Sequence, residues 1–389
     1  WTMSNENFLQ DSQIVNELKL RGSWGQTGNQ EVPNKLTQAS YSLSQGAGYY
    51  LYDNLNLLNG FTVNRTANPD LRWEVVEQTN IGADFSLWQN KLYGSVEYYN
   101  KITKDPILNI PSKVLSPTTT VYTNVDGEIV NKGFEVTLGS DIIRKDNFTW
   151  TVDVNGATVN NVVRNLPVSE IYSGEVSGPG MSGVTANIYK NGYEAGSFIM
   201  LNYLGIDADG KYIYEDVDGD GTIGPKDRKI FEGAIPNLTF GLNSYMRYKK
   251  IDFGFSFIGQ TGGYLVNNTA LNLNINNLAS DRNLLTNFYE SGASPTNQPQ
   301  LSSLYLEKSD FLRLNNLRVG YTFDSTQLKW MKSLNLYVSA QNLWTITSYT
   351  GYDPLVDTNK QAAGNQSLGI DYTTYPSAKT FLFGATVKF

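Results

Sequence analysis

Thr380-Phe-Leu-Phe-Gly-Ala-Thr-Val-Lys-Phe389 is the stretch whose reading decides the fold. It alternates. Phe381, Phe383, Ala385, Val387 and Phe389 share one face, and Thr380, Leu382, Gly384, Thr386 and Lys388 share the other. A period of two over about ten residues is the length and pattern of a strand that crosses a bilayer in a closed barrel. A soluble domain can carry such a strand too. What separates the two readings is whether the pattern recurs, and how the recurrences are joined.

It recurs along the whole chain. Leu18, Leu20, Gly22 and Trp24 alternate with Lys19, Arg21, Ser23 and Gly25. Ile81, Ala83, Phe85 and Leu87 lead through a tight turn into Leu92, Gly94, Val96 and Tyr98. Phe134, Val136 and Leu138 are followed by Phe148, Trp150, Val152 and Val154. Further strands are expected at 237–247, 251–260, 311–323 and 333–343. Short links follow Leu87, Asp141, Arg247 and Phe323, whereas long ones span 28–77, 101–132, 157–236, 261–310 and 344–379. Short and long alternate strictly. That is the layout of an outer-membrane meander, and a Greek-key sandwich has no reason to keep it. The expected fold is all-β: a transmembrane antiparallel β-barrel wall of ten strands with long extracellular loops and a periplasmic C-terminus. Trp24, Trp88, Tyr99, Tyr248, Trp330 and Trp344 fall near strand ends, as interfacial girdles would place them. In a soluble sheet the same residues would be ordinary hairpin aromatics.

Composition narrows the function classes. No run of 18 apolar residues occurs, which excludes a membrane helix but not a barrel, whose strands average lipid-facing and lumen-facing residues. The chain has no Cys and no His, so disulfides, thiolate chemistry and the commonest general base are excluded. A net charge of −7, with no basic cluster longer than Tyr248-Lys249-Lys250, argues against nucleic acid as a partner. Trp1-Thr-Met-Ser does not read as a leader, so an exported protein is expected to have lost its export signal before this start, or to carry this chain far inside a longer precursor. No catalytic constellation is legible. Glu97, Glu135 and Asp153 read as polar lumen residues, and Gly178-Pro179-Gly180 lacks the strand–turn–helix setting of a phosphate loop.

The sharpest motif is Asp216-Val-Asp-Gly-Asp-Gly-Thr-Ile-Gly-Pro-Lys-Asp227. It matches the calcium-loop pattern D-x-D-x-D-G with an acidic residue at position twelve. Asp216, Asp218, Asp220, the Thr222 carbonyl and Asp227 are the candidate Ca²⁺ ligands. Lys211-Tyr-Ile-Tyr214 before it is strand-like, so the site would be structural rather than a sensor. A plain Asp/Gly turn is the competing reading; three aspartates at that spacing repel one another unless a cation sits between them. Asp207-Ala-Asp-Gly210 is a shorter echo. Ca²⁺ there is expected to stiffen a loop of about eighty residues, 157–236, whose ordering is otherwise costly. Other long loops are rich in Gly, Asn, Ser, Thr and Tyr. Tyr49, Tyr50 and Tyr52 are candidates to stack on sugars or peptide rings. Asn267-Asn268 and 274–277 are either sugar-binding amides or solvated loop.

Several of these stretches together resemble the SusC/RagA family of TonB-dependent outer-membrane transporters of Bacteroidota. They are Leu18-Lys-Leu-Arg-Gly-Ser-Trp-Gly-Gln-Thr-Gly-Asn29, Asn68-Pro-Asp-Leu-Arg-Trp-Glu74 with Gln78-Thr-Asn-Ile-Gly82, Asn131-Lys-Gly-Phe-Glu135, the Asp216 motif, Phe311-Leu-Arg-Leu-Asn-Asn-Leu-Arg318, Ser339-Ala-Gln-Asn-Leu343 and the terminal Phe389. The resemblance implies a 22-strand barrel with an N-terminal plug, energised through TonB. Such a barrel imports oligosaccharides or peptides beneath a SusD-like lipoprotein lid and is not an enzyme. Residues 1–389 would then be the C-terminal part of such a receptor. Its edges, near 18–27 and 380–389, are expected to pair with the plug-bearing N-terminal portion, since unpaired amides in lipid are costly. A secreted, calcium-stiffened carbohydrate-binding adhesin is the alternative from another class.

Overall fold

The computed structural model describes residues 1–29, 34–43, 49–53, 56–112, 115–274, 283–286, 290–294, 297–324, 331–360 and 365–389. Ten long strands form one antiparallel sheet in which every strand pairs with its predecessor in sequence. They are β1 (Val15–Asn29), β2 (Glu74–Leu87), β3 (Leu92–Lys104), β4 (Glu128–Lys145), β5 (Phe148–Thr158), β6 (Leu238–Tyr248), β7 (Ile251–Thr261), β8 (Phe311–Asp324), β9 (Ser333–Thr347) and β10 (Thr380–Lys388). The alternation of short and long connections expected from the sequence is the one observed. Residues 88–91, 146–147, 249–250 and 325–332 make the short links. β1 and β10 each have one neighbour in this sheet among the described residues.

Register shows why the pattern forms a wall. The row Leu20, Ala83, Val96, Val136 is joined partner to partner across β1–β4. At the other end Phe253, Val319, Val338 and Phe383 are joined in the same way across β7–β10. A one-residue slip in any pair would move that strand's apolar set to the polar face. The apolar side chains therefore form one band over ten strands, and many are exposed: Phe383 at 79%, Ile81 at 62%, Phe134 at 53%. An apolar face left uncovered on this scale is what a lipid-facing wall requires. Aromatic groups gather at both rims of the band. Phe148 and Tyr248 sit edge to face toward the short turns, as do Tyr321 and Phe323, while Tyr98–Phe134 and Phe257–Trp344 lie toward the long loops. Tyr99 departs from the expected girdle. It pairs with Asn80 and Gly133 on the polar face and donates its hydroxyl to the Thr158 carbonyl. Trp330 lies outside the described residues.

The packed core is not in this sheet. It is built from the long connections. Val176, Phe198, Met200, Val266, Leu271, Leu301 and Ile370 come from 159–237, 262–310 and 348–379, and meet in one buried cluster. A second cluster joins Leu108 and Val125 of 105–127 to Val163, Leu166, Ile171 and Tyr189. The first long connection joins them through Asn68, which donates to the Tyr122 carbonyl. All five long connections thus meet at one end of the wall as a cap. Four strands (Ile171–Glu175, Thr185–Tyr189, Ser197–Leu201, Arg228–Phe231) make the cap's main sheet.

The loop 157–236, which Ca²⁺ is expected to stiffen, is also packed into this core. Phe198, Met200, Leu271 and Ile370 are each fully buried, and each such side chain contributes about 1.5–3 kcal/mol. That core holds the loop in place, and an ion at the Asp motif would add to it. Asn267 and Asn268 also read differently from expectation. Asn267 is the N-cap of the helix Asn268–Leu273, accepting from the Ala270 N–H at 2.9 Å. Asn268 is fully buried and bridges the Ser177 N–H and carbonyl. Neither amide is free for sugar or water.

Candidate functional site: a polar wall beneath a cap with an Asp loop

The face opposite the apolar band is polar, and its groups are matched across strands. Arg21 on β1 pairs with Asp84 at 2.9 Å and Glu97 at 2.8 Å. Tyr93 donates to Asp153 at 3.1 Å. Near the short turns Arg318 lies 4.2 Å over the Tyr337 ring and donates to Asn335, which in turn donates to Asp252. Glu97 and Asp153 are therefore engaged in wall contacts, and Glu135 faces Glu97 in register. Glycines on this face make room for rings. A Cβ on Gly139 would meet the Tyr93 ring at 2.2 Å, and one on Gly384 the Tyr337 ring at 2.3 Å. The wall thus presents fixed hydrogen-bonding groups and ring faces to the interior rather than a nucleophile–base pair.

The cap is bolted to this wall. Arg313 near the upper end of β8 makes a buried ion pair with Asp353 at 2.7 Å and donates its Nε to Thr345 on β9. Asn315, between them and the next inner-face position, is the extra residue of a β-bulge, opposite an irregularity in β9 where Asn342 takes φ +53°. The stretches 311–318 and 339–343, singled out in the sequence, are therefore facing halves of one kinked junction.

The Asp loop lies between the strand Tyr212–Tyr214 and the strand Arg228–Phe231, flanked by a 3₁₀ turn, Pro225–Asp227, and no helix of EF-hand length. Asp216, Asp218 and Asp227 converge, with one carboxylate oxygen from each within 4.8 Å of the others. Asp220 sits outside that group and accepts the Thr222 N–H at 2.8 Å. The fold of the loop follows from Asx-type bonds and two left-handed glycines. Asp216 accepts from Gly219 and Gly221, whose φ values of +74° and +80° a side chain would strain. Asp227 is buried and accepts from Val217, Gly224 and, more weakly, Asp218. The Gly224 and Val217 N–H groups hold its carboxyl below the usual range, so it stays ionised. Lys226, 3.8 Å from Asp218, is the cation beside them. Each carboxylate retains unused lone pairs after these bonds, which fits an oxygen-seeking cation. The echo at Asp207 is a plain turn: its Oδ1 accepts from Asp209 and Lys211. Tyr49, Tyr50 and Tyr52 lie in the strand Tyr49–Asp53, and their side chains fall outside what the structure describes.

A strand wall with its connections sorted by length, apolar on one face and polar on the other, defines the class: part of an antiparallel barrel of the outer-membrane type. Residues 12–343 match the family described as TonB dependent receptor-like, beta-barrel, and the chain belongs to it. It is 30% identical over its whole length to a TonB-dependent receptor, P3, of Formosa agariphila, and 27% identical to the TonB-dependent receptor SusC of Bacteroides thetaiotaomicron. Those alignments cover 41% and 39% of the two relatives, so the chain spans about two fifths of their length. A solved structure titled as the RagAB peptide transporter superposes over the whole chain and 42% of its own, with a TM-score of 0.78 at 23% identity, a likeness of fold.

Proposed function

We propose that this chain forms part of the wall and the extracellular cap of a TonB-dependent outer-membrane importer of oligosaccharides or peptides. One observation carries the reading: an uninterrupted apolar band crosses ten strands in register while every long connection packs at one end. Lipid rewards the first feature, and a solute-gathering mouth explains the second. The relatives support the substrate range, one being named SusC and another structure being titled a peptide transporter. In this reading the cap is extracellular and the short turns and C-terminus are periplasmic. The barrel closes with a plug-bearing N-terminal portion. TonB acts through that portion, and a SusD-like surface lipoprotein covers the mouth. No chemical step is required of Glu97, Glu135 or Asp153.

Ca²⁺ belongs to the same proposal. Asp216, Asp218 and Asp227 would hold it, with Asp220 and the Thr222 carbonyl nearby to complete an oxygen shell. When bound, it would neutralise converged carboxylates and fix the turn that joins the cap's two strands. The test of function is uptake. Cells carrying the whole gene with its neighbouring lipoprotein should accumulate a labelled oligosaccharide or short peptide, and dissipating the proton gradient should abolish this. Recovery of the protein in the soluble fraction without detergent would refute the membrane reading and favour the adhesin.

A further inference from the structure

The cap contains a cavity of about 390 Å³ between the exit of the Asp loop and the segment 298–301. Apolar side chains form one side of it, and polar groups the rest. Met181, Leu201 and Leu301 are almost fully buried there, and Val184 is partly buried. Its mouth is open, with Gln298 and Gln300 exposed. One cation lines it, Arg228, which is partly buried beside Leu201, its register partner.

Arg228 stands apart from the cations around it. Lys229 pairs with Glu215 at 3.1 Å and Lys226 lies 3.8 Å from Asp218. Arg21, Arg313 and Arg318 each have a carboxylate. Among the described residues Arg228 has neither an ion pair nor a side-chain hydrogen bond, although the strand that carries it begins next to Asp227, whose carboxylate accepts instead from the Val217 and Gly224 N–H groups. A guanidinium drawn from bulk water with its planar fork unused is a receptor for a planar anion, and carboxylate fits it bidentately. Gln298 gives its Nε2 to the Pro179 carbonyl at 2.7 Å, leaving its Oε1 for an N–H donor at the mouth.

We propose that this cavity binds the C-terminal carboxylate of a short peptide whose last side chain is apolar, with Arg228 as the carboxylate anchor. Met181, Val184, Leu201 and Leu301 suit an apolar last side chain better than the ring of a uronic acid, whose hydroxyls they cannot satisfy. The proposal rests on the importer reading and names one substrate class for it.

The test is binding, measured by calorimetry on the purified protein in detergent, with Ala-Ala-Leu and its C-terminal amide as probes. The free acid is expected to bind roughly tenfold or more tightly than the amide. Arg228→Gln should remove that difference, and Arg228→Lys should keep part of it, as a point charge in place of a fork. Equal binding of acid and amide, no binding of either, full discrimination surviving in R228Q, or preference for digalacturonate over the peptide would each overturn the proposal. Should R228Q lose its fold by circular dichroism, the acid-against-amide comparison on the unaltered protein decides alone. Binding without accumulation in cells would sink the importer and leave the site standing.

Discussion

Arg313 and Asp353 lie 2.7 Å apart with both side chains more than nine-tenths buried, and they join the barrel wall to its cap. Arg313 belongs to β8, whereas Asp353 belongs to the connection 348–379. Burial alone would push the Asp353 carboxyl up. Hydrogen bonds from Arg313, Ser377 and the Leu355 N–H outweigh that and hold it below the usual range. Asp353→Ala is expected to cost about 3–5 kcal/mol, because it strands a buried guanidinium. The readout is thermal unfolding in detergent, together with protease cleavage in 348–379. Because the folded carboxyl titrates below its unfolded value, its stabilisation is full above roughly pH 4 and fades only as pH falls through the folded pKa. The unaltered protein should therefore keep its cap resistant at pH 5, and D353A should be susceptible at every pH.

The Asp loop offers a variant that separates metal binding from folding. Asp216 and Asp227 both carry the loop's backbone bonds, so altering either damages the turn with or without an ion. Asp218 accepts only a long bond from the Asp220 N–H and the distant Lys226. Asp218→Asn is expected to weaken Ca²⁺ binding by about tenfold or more while leaving metal-free stability within about 0.5 kcal/mol. Titration calorimetry and melting in EDTA check both halves. Wild-type protein that takes up no Ca²⁺ at millimolar concentration would leave the plain-turn reading.

Adjacent residues of β6 test which face meets lipid. Leu242 belongs to the apolar band, paired with Val154 and Phe257, while Asn243 faces Asp153 and Ser256 on the polar side. Leu242→Lys should cost about 2–4 kcal/mol on folding into bilayers, and Asn243→Lys about 0–1. Urea titration of vesicle-inserted protein measures the difference. Equal costs would mean that the sheet is not a membrane wall.

The wall was legible because the side-chain period of a strand is two, so Phe381 to Phe389 or Leu92 to Tyr98 declares its face without any knowledge of its neighbours. Strand ends were less so. β4 runs to Lys145 and starts at Glu128, beyond the membrane-length segment, because its upper end pairs with Asn160–Arg164 in the cap. The packing of the cap is not legible in the sequence, for a physical reason. Its core is assembled from single apolar residues spread over connections far apart in sequence, such as Phe198, Val266 and Ile370, and no local period marks them. Asn268 looked like a surface amide because nothing in its own neighbourhood shows Ser177 ninety-one residues away. Arg228 gave no signal at all: an arginine that opens a strand is unremarkable until the cavity beside it is seen. The Asp motif was the reverse case, since its spacing alone brings Asp216 and Asp218 toward Asp227.

The close approach of strands in the wall supplies a last test, with a rank order. A Cβ on Gly94 would lie 2.1 Å from the Thr137 carbonyl oxygen, whereas one on Gly139 would meet the Tyr93 ring at 2.2 Å. Both clashes are severe, yet they differ in what must yield. Thr137 is backbone held in the β3–β4 ladder, so Gly94→Ala has to push two paired strands apart. Tyr93 is a side chain with rotatable bonds, and Gly139→Ala can be relieved if the ring swings, at the expense of its 3.1 Å bond to Asp153. G94A is expected to cost about 2–3 kcal/mol and G139A about 1–2. Tyr93→Ala should rescue most of the G139A loss and none of the G94A loss, a double-mutant comparison read by urea unfolding from vesicles. Rescue of both would mean that the ring, rather than the strand spacing, sets the requirement for glycine at position 94.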